Sequence, residues 1–339
     1  MKERNPKSAI RNPKSAIYII SLIGILLWGV SAHAAAEDGG LPGYFTALGT
    51  AVRAQAMGRA YVGLADDLGA IGTNAAGLSQ IRGGETSFMH ASLFEETGYY
   101  FLGLGRSFSS WSLGGGFAQL SVDGIEQTDA SNTPGGDLSN KKSLFSLASS
   151  YMFSPRFSAG GNFKWFSHKW GDDSGSGLGL DLGLLYRPMP ELSLGLNLGN
   201  VIGPKIDREE EKDKWPLAVR AGAAYRLMEN ALIFTLDLDK TSHRSVKVHG
   251  GTELSGLSGK LALRAGYDEG DITAGLGISP MKGQKVQTRQ YYREGRRYYG
   301  AGRGRETEAV VPGGLKLDYT VLNNSDLGLS HRFSISYRF

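Results

Sequence analysis

The sequence predicts an all-β protein, a transmembrane antiparallel β-barrel of about 14 strands with an N-terminal plug-like segment. Three observations carry that prediction. Apolar and non-apolar residues alternate with a period of two through most of the chain from Gly84 onward. The non-apolar positions are glycine, serine and isolated charges of both signs, not the dense Lys, Glu and Thr of a water-facing sandwich. After the first 34 residues no apolar run approaches the ~18 residues that a helical span needs, so a membrane protein made from this chain crosses with strands.

Residues 1–34 read as a cleavable signal peptide. Lys2, Arg4, Lys7, Arg11 and Lys14 form a basic start, Ala16 to Val30 an uncharged and mostly apolar core, and Ala32-His33-Ala34 a small-x-small cleavage pattern. Residues 4–10 and 11–17 repeat the same seven residues, a duplication with no structural purpose in the leader. The leader holds five of the 37 basic residues and one of the 33 acidic ones, leaving 32 of each sign. The remaining chain is neutral, so the basic isoelectric point says nothing about nucleic acid. The absence of cysteine excludes disulfides and a lipid-modified N-terminal cysteine.

Residues 35–83 precede the alternating region and are expected to form the plug; residues 84–339 are expected to form the barrel. The last segment shows the pattern best, with Leu327, Leu329, Phe333, Ile335, Tyr337 and Phe339 on one face and Gly328, Ser330, Arg332, Ser334, Ser336 and Arg338 on the other. Leu178–Leu184, Leu192–Leu198, Leu261–Ala265 and Leu315–Tyr319 repeat it. Fourteen such strands are expected, beginning near residue 85 and ending at 339. Ser154-Pro155, Arg187–Pro190 and Met228-Glu229 are expected to be tight turns at one end, and Asp123–Lys141, Trp170–Ser176 and Gly203–Lys214 long loops at the other. This alternation predicts both termini in the periplasm. Met281–Glu308 breaks it, since a tight turn belongs there. The segment carries eight basic and three acidic residues, with four tyrosines among the arginines. Its composition suits an anionic periplasmic surface, a partner protein or a disordered insertion.

The N-terminal segment contains Ala51-Val52-Arg53-Ala54-Gln55-Ala56-Met57-Gly58-Arg59-Ala60-Tyr61-Val62, then Ala65-Asp66-Asp67, then Asn74-Ala75-Ala76-Gly77-Leu78. This resembles the opening of the PorV/PorQ family of the FadL-like superfamily of outer-membrane β-barrels. That family has an Arg-Ala-x-x-Met-Gly stretch, an Ala-Asp-Asp and an Asn-Pro-Ala-Gly-Leu motif, whose proline is Ala75 here. The chain end, from Leu317-Asp318-Tyr319 to Tyr337-Arg338-Phe339, is similar to that family's C-terminus. The resemblance implies a fourteen-stranded barrel with the N-terminal segment in or beneath the lumen. Its expected function is passive passage of hydrophobic small molecules such as long-chain fatty acids; the alternative is a protein-interaction component of type IX secretion.

Met57, Leu64, Asp66, Asp67, Ile71, Asn74, Gly77 and Leu78 are the expected ligand or plug residues. For Asp66, Asp67 and Asn74, helix capping competes with a gating role. Lys164, Asp181, Arg220, Asp237, Arg264, Lys316, Asp318 and Arg332 fall at lumen parity, and because both signs occur, mutual pairing is favoured over a charge-selective pore. Tyr337 and Phe339 are the expected assembly signal, a role the resemblance implies. No Gly-x-Ser-x-Gly or His-Glu-x-x-His motif occurs, and the histidines lack ligand spacing. No enzyme activity, catalytic residue, metal or cofactor is therefore expected. The expected partners are outer-membrane lipids and lipopolysaccharide, the barrel assembly machinery, and a hydrophobic ligand or exported protein, in the cell outer membrane.

Overall fold

The computed structural model describes residues 42–93, 97–128, 131, 134–207, 212–242, 244–280, 284–293, 296–299, 305–311, 314–324 and 328–339. The predicted leader lies outside them. The strands in chain order are β1 (Gly84–Ser92), β2 (Thr97–Phe108), β3 (Trp111–Thr128), β4 (Pro134–Ser154), β5 (Phe157–Trp170), β6 (Asp173–Met189), β7 (Leu192–Ile202), β8 (Lys205–Asp207) and β9 (Lys212–Lys214). They continue with β10 (Ala218–Leu227), β11 (Leu232–Thr241), β12 (Val246–Gly256), β13 (Leu261–Asp268), β14 (Asp271–Ile278), β15 (Gln284–Arg293), β16 (Arg296–Tyr299), β17 (Arg305–Val311), β18 (Gly314–Asn324) and β19 (Gly328–Arg338). Fourteen of these close into one antiparallel barrel, sealed where β1 pairs with β19. Closure matters because an open edge in lipid would leave backbone polar groups unpaired.

The alternation places each face as its chemistry requires. Along β19, Leu329, Phe333, Ile335 and Tyr337 are exposed on the outside, while Ser330, Arg332 and Ser334 are buried on the inside. An outer belt of leucines and aromatic rings runs around the wall, including Leu102, Leu104, Phe145, Leu147, Phe163, Trp165 and Phe234. Neighbouring rings meet across strands, as in Phe117–Phe145 at 4.5 Å and Trp111–Tyr151 at 4.8 Å. Exposed apolar side chains in a continuous band suit hydrocarbon, not water. Among the described residues, no helix is long and apolar enough to cross a membrane.

The connections differ from the sequence expectation. The strands bordering the supposed long loops are longer than predicted: β3 runs to Thr128 and β4 starts at Pro134, so most of Asp123–Lys141 is a protruding hairpin. Trp170–Ser176 is a tight turn, because β5 ends at Trp170 and β6 begins at Asp173. Glycine and serine in these segments read as loop, but hydrogen bonding to a neighbour makes them strand. Gly203–Lys214 holds the small hairpin β8–β9. The basic segment folds as a three-stranded antiparallel sheet of its own, in the order β16–β15–β17.

Candidate functional site

Inside the barrel, residues 42–83 fold into two short helices, α1 (Val52–Ala56) and α2 (Ala70–Thr73), with 3-10 turns at Tyr44–Leu48 and Ala75–Gln80. Helices this short are not stable alone; packing and ion pairs hold them. Met57, Tyr61, Leu64, Leu68, Ile71 and Leu78 are all buried. Gly58 shows how close the approach is, since at φ +60° its Cα faces the backbone of Tyr267 and Gly250, where a side chain would collide.

Arg53 of α1 is the centre of the plug. Its guanidinium makes a two-pronged pair with Glu253 of β12, at 2.7 and 2.8 Å, and donates to the Tyr61 hydroxyl at 2.9 Å and to Asp66. Asp67 lies 3.6 Å away. The chain continues into the wall, as Glu253 also takes Arg264 at 2.6 Å, and Arg264 reaches Asp318 at 2.7 Å. Lys316 completes it at 3.2 Å from Asp318. Charges this buried persist only when matched, and here matching joins plug to barrel. Burial alone would raise the carboxyl of Asp67, but Arg53, Lys316, the Tyr61 hydroxyl and Arg338 together outweigh it and hold that group below the ordinary carboxylate range.

Asp67 and Asn74 also bond the backbone. Asp67 accepts from the Gly69 amide at 2.9 Å and from the Tyr61 hydroxyl at 2.7 Å. Asn74 accepts from the Ala76 amide at 3.2 Å, capping the second 3-10 turn, and donates to the carbonyls of Val62 at 3.0 Å and Leu184 on β6 at 2.9 Å. Capping and plug anchoring are thus the same contacts. Gly77 packs on the Ala65 carbonyl with no room for a side chain. Among the described residues Asp237 of β11 has no ion-pair partner; it accepts the Tyr61 and Val62 amides at 2.8 Å each.

A cavity of about 170 Å³ opens at the barrel end opposite the C-terminus, and the first described residues, Pro42 to Thr46, line it. One wall is apolar: Phe45, Tyr99, Phe101, Ala118 and Leu144. The opposite rim is charged, with Arg59, Lys164, Arg220, Arg244 and Lys247 against Asp181, Asp239 and Glu269. Phe45 is fixed by Phe166 and Trp215, ring centres 5.3 and 6.0 Å away. Beside the cavity the β6–β7 ladder is interrupted, with Leu180 facing Ile202 and then Leu182 facing Leu198. Asn200 stands there at φ +57°, its amide donating to Asp181 at 2.7 Å, and Lys164 reaches Asp181 and Asn200 at 2.6 Å. His249, Asp268 and Glu269 bring ligand-type atoms within 4.8 Å of one another. Arg59 and Lys247 already sit on those carboxylates, so the group reads as an ion-pair cluster.

No protein-family model matches the chain, and no curated protein matches it in sequence. Solved structures do. The toluene transporter TodX of P. putida superimposes with a TM-score of 0.59 at 13% identity, covering 84% of this chain and 97% of its own. The CymD monoaromatic hydrocarbon channel gives 0.59 at 11% identity, covering 86% and 98%. The chain folds like these channels.

Set on that fold, Met57, Leu64, Asp66, Asp67, Ile71, Asn74, Gly77 and Leu78 all belong to the plug body. None of them lines the cavity of about 170 Å³; their neighbours Ala54, Gln55, Arg59, Gly72 and Thr73 do, together with 42–47, 49 and 50. Tyr337 and Phe339 are exposed on the outer wall, and Phe339 and Gly84 exchange two backbone hydrogen bonds, of 2.6 and 2.9 Å, across the seam. The pairing of lumen charges holds for Lys164 with Asp181, Arg220 with Asp239 and Arg264 with Asp318. Arg332 instead donates to Gln55 at 2.5 Å and to the Leu48 carbonyl at 3.2 Å. Sequence reading passed over Arg53, Tyr61 and Glu253. The signal available was an arginine in an otherwise small and apolar helix, which needs a buried acid.

Proposed function

We propose that the protein is an outer-membrane, FadL-like passive conduit for hydrophobic small molecules such as long-chain fatty acids, and not an enzyme. The observation that carries this is the cavity above the plug, which sets an aromatic and leucine wall against a rim with more cations than carboxylates. Such a space holds an apolar body by burial, with a polar, ion-paired rim at its mouth. In this reading the plug is the gate: it fills the half of the lumen on the side of the C-terminus, and a ligand passes when the plug's ion pairs shift. The chain enters the membrane after removal of residues 1–34, has both termini in the periplasm, and uses Tyr337 and Phe339 as the signal to the barrel assembly machinery. The motif from Ala51 to Leu78 supports a place in the PorV/PorQ branch. A role in type IX secretion is the alternative; it would rest on ordered surfaces outside the barrel, of which the β15–β17 sheet is one.

Cells lacking their own fatty-acid transporter test the conduit. Expression of this protein should restore uptake of a long-chain fatty acid, and Ala118→Phe, which fills the cavity from β3, should reduce it. Background uptake by a correctly inserted barrel would remove the conduit reading and leave the secretion role.

A further inference from the structure

The outward face of β4 and β5 changes character in register. From the terminal end it reads Leu147 opposite Phe163, Phe145 opposite Trp165, Ser143 opposite Ser167, and finally Lys141 opposite Lys169. Phe145 and Trp165 stack at 5.4 Å and are each 46% exposed, which marks the edge of the apolar belt. Four residues further, about 14 Å along a strand and so roughly 10 Å along the membrane normal at the usual tilt, the two lysines reach headgroup depth. Both are exposed. Their outward neighbours on β3 and β6 are Ser121 and Ser174, and among the described residues neither lysine has an ion-pair partner. The nearby acids stand beyond them: Asp123 on β3, Asp137 on β4, Asp172 in the β5–β6 turn and Asp173 at the start of β6.

Like charges directly opposite one another across two strands repel. What sets this pair apart is its depth, because beside the apolar belt lipid is the nearest outside source of negative charge. The vertical order matches an amphiphile: rings beside acyl chains, serine hydroxyls beside sugar, ammonium groups beside phosphate. Two cations also select the ester. A phosphodiester brings one negative charge, whereas a phosphomonoester carries about −1.5 to −2 and satisfies both.

We propose that Lys141 and Lys169 bind the phosphomonoester of a phosphorylated glycolipid in the leaflet at the barrel end opposite the C-terminus. Only the choice of leaflet rests on the orientation proposed above; the site does not depend on what crosses the lumen. The test is native mass spectrometry of the full-length barrel, equilibrated in detergent with lipid A or with lipid A stripped of its phosphates. Wild-type protein should retain lipid A and lose at least about tenfold in retention when the phosphates are removed. Lys141→Gln with Lys169→Gln should show the same loss while keeping the heat-modifiable gel shift of a folded barrel. Lys205→Gln with Lys214→Gln, a lysine pair on the β8–β9 hairpin, should not. A folded double variant retaining lipid A as wild type does, or equal retention of the dephosphorylated lipid, would overturn the proposal. Fatty-acid uptake should be unchanged in the Lys141 and Lys169 variant, which separates this outcome from failure of the conduit.

Discussion

Arg53 concentrates at one residue the problem of holding a separate segment inside a barrel. Its guanidinium faces Glu253, Asp66 and Asp67, so removing it leaves carboxylates buried without a counter-ion. Arg53→Met should cost about 3–5 kcal/mol of plug docking, and Arg53→Lys should recover only part, since an ammonium cannot span both oxygens of Glu253 as the fork does. Because the chain has no cysteine, a single Ala56→Cys variant reports plug opening by its rate of thiol labelling. The expected order is Met fastest, then Lys, then wild type; equal rates would remove Arg53 from the latch. The pH dependence follows from Asp67. Its folded-state carboxyl lies below the ordinary carboxylate value of ~3.9, so its contribution to docking is complete above that value and is lost as pH falls through the lower, folded one. Labelling of the introduced thiol, taken relative to a fully exposed thiol at the same pH to remove the loss of thiolate, should therefore stay flat from neutral pH to about pH 4 and rise below it.

Among the elements, β19 and the second 3-10 turn make separable predictions. Ile335 faces lipid on β19 and Leu329 lies nearer the barrel end. Ile335→Arg should cost ~2–4 kcal/mol and Leu329→Arg less, because the penalty falls away from the bilayer midplane; urea unfolding in vesicles measures both. Ser334 is a poor lumen control. It is buried and borders a tight space shared with Asp67, Glu85 and Asp318, so an arginine there overpacks the plug. Asn197, on the cavity wall, is the appropriate one, and Asn197→Arg should be mild. Deleting Phe339 removes both backbone bonds to Gly84 and should impair insertion. In the plug, Ala75 replaces the resembled family's proline, yet Asn74 keeps the extended conformation, φ −155° and ψ 99°, that a residue before proline adopts. Ala75 opens the turn, a position suited to proline. Ala75→Pro should be neutral or stabilising by up to ~1 kcal/mol, read as slower thiol labelling in the Ala56→Cys background; faster labelling would mean the turn differs.

At the scale of the whole molecule, the barrel has one end bearing the C-terminus and the β15–β17 sheet, and another bearing the β3–β4 hairpin and the β8–β9 hairpin. If the C-terminal end of the barrel faces the periplasm, proteinase K added to intact cells should spare 281–308 and cut, if anywhere, near the β3–β4 tip. Cutting in the basic segment would reverse the orientation, and with it the leaflet assigned to Lys141 and Lys169. Leu64→Asp and Ile71→Asp, attractive as ligand-site variants from sequence, are expected instead to release the plug, because both side chains are buried in its body. Cavity variants such as Ala118→Phe change the space and leave the plug's contacts in place.

Alternation along a strand needs no tertiary knowledge, because facing is a local property with a period of two and lipid on one side enforces it. Hence the barrel, its strand number and the facing of Ile335 against Arg332 were legible. So was the plug, since an apolar segment outside the alternating region has to be buried. Loop lengths were not, because glycine and serine join a ladder only when a neighbouring strand supplies hydrogen bonds, as β3 and β4 do beyond Val122. Nor was the side of the plug on which the cavity opens. Arg53 and Glu253 stand 200 positions apart, and only closure of the barrel brings them together. That closure turns Leu64 and Ile71 into packing and leaves Ala54, Gly72 and Thr73 to face the open lumen.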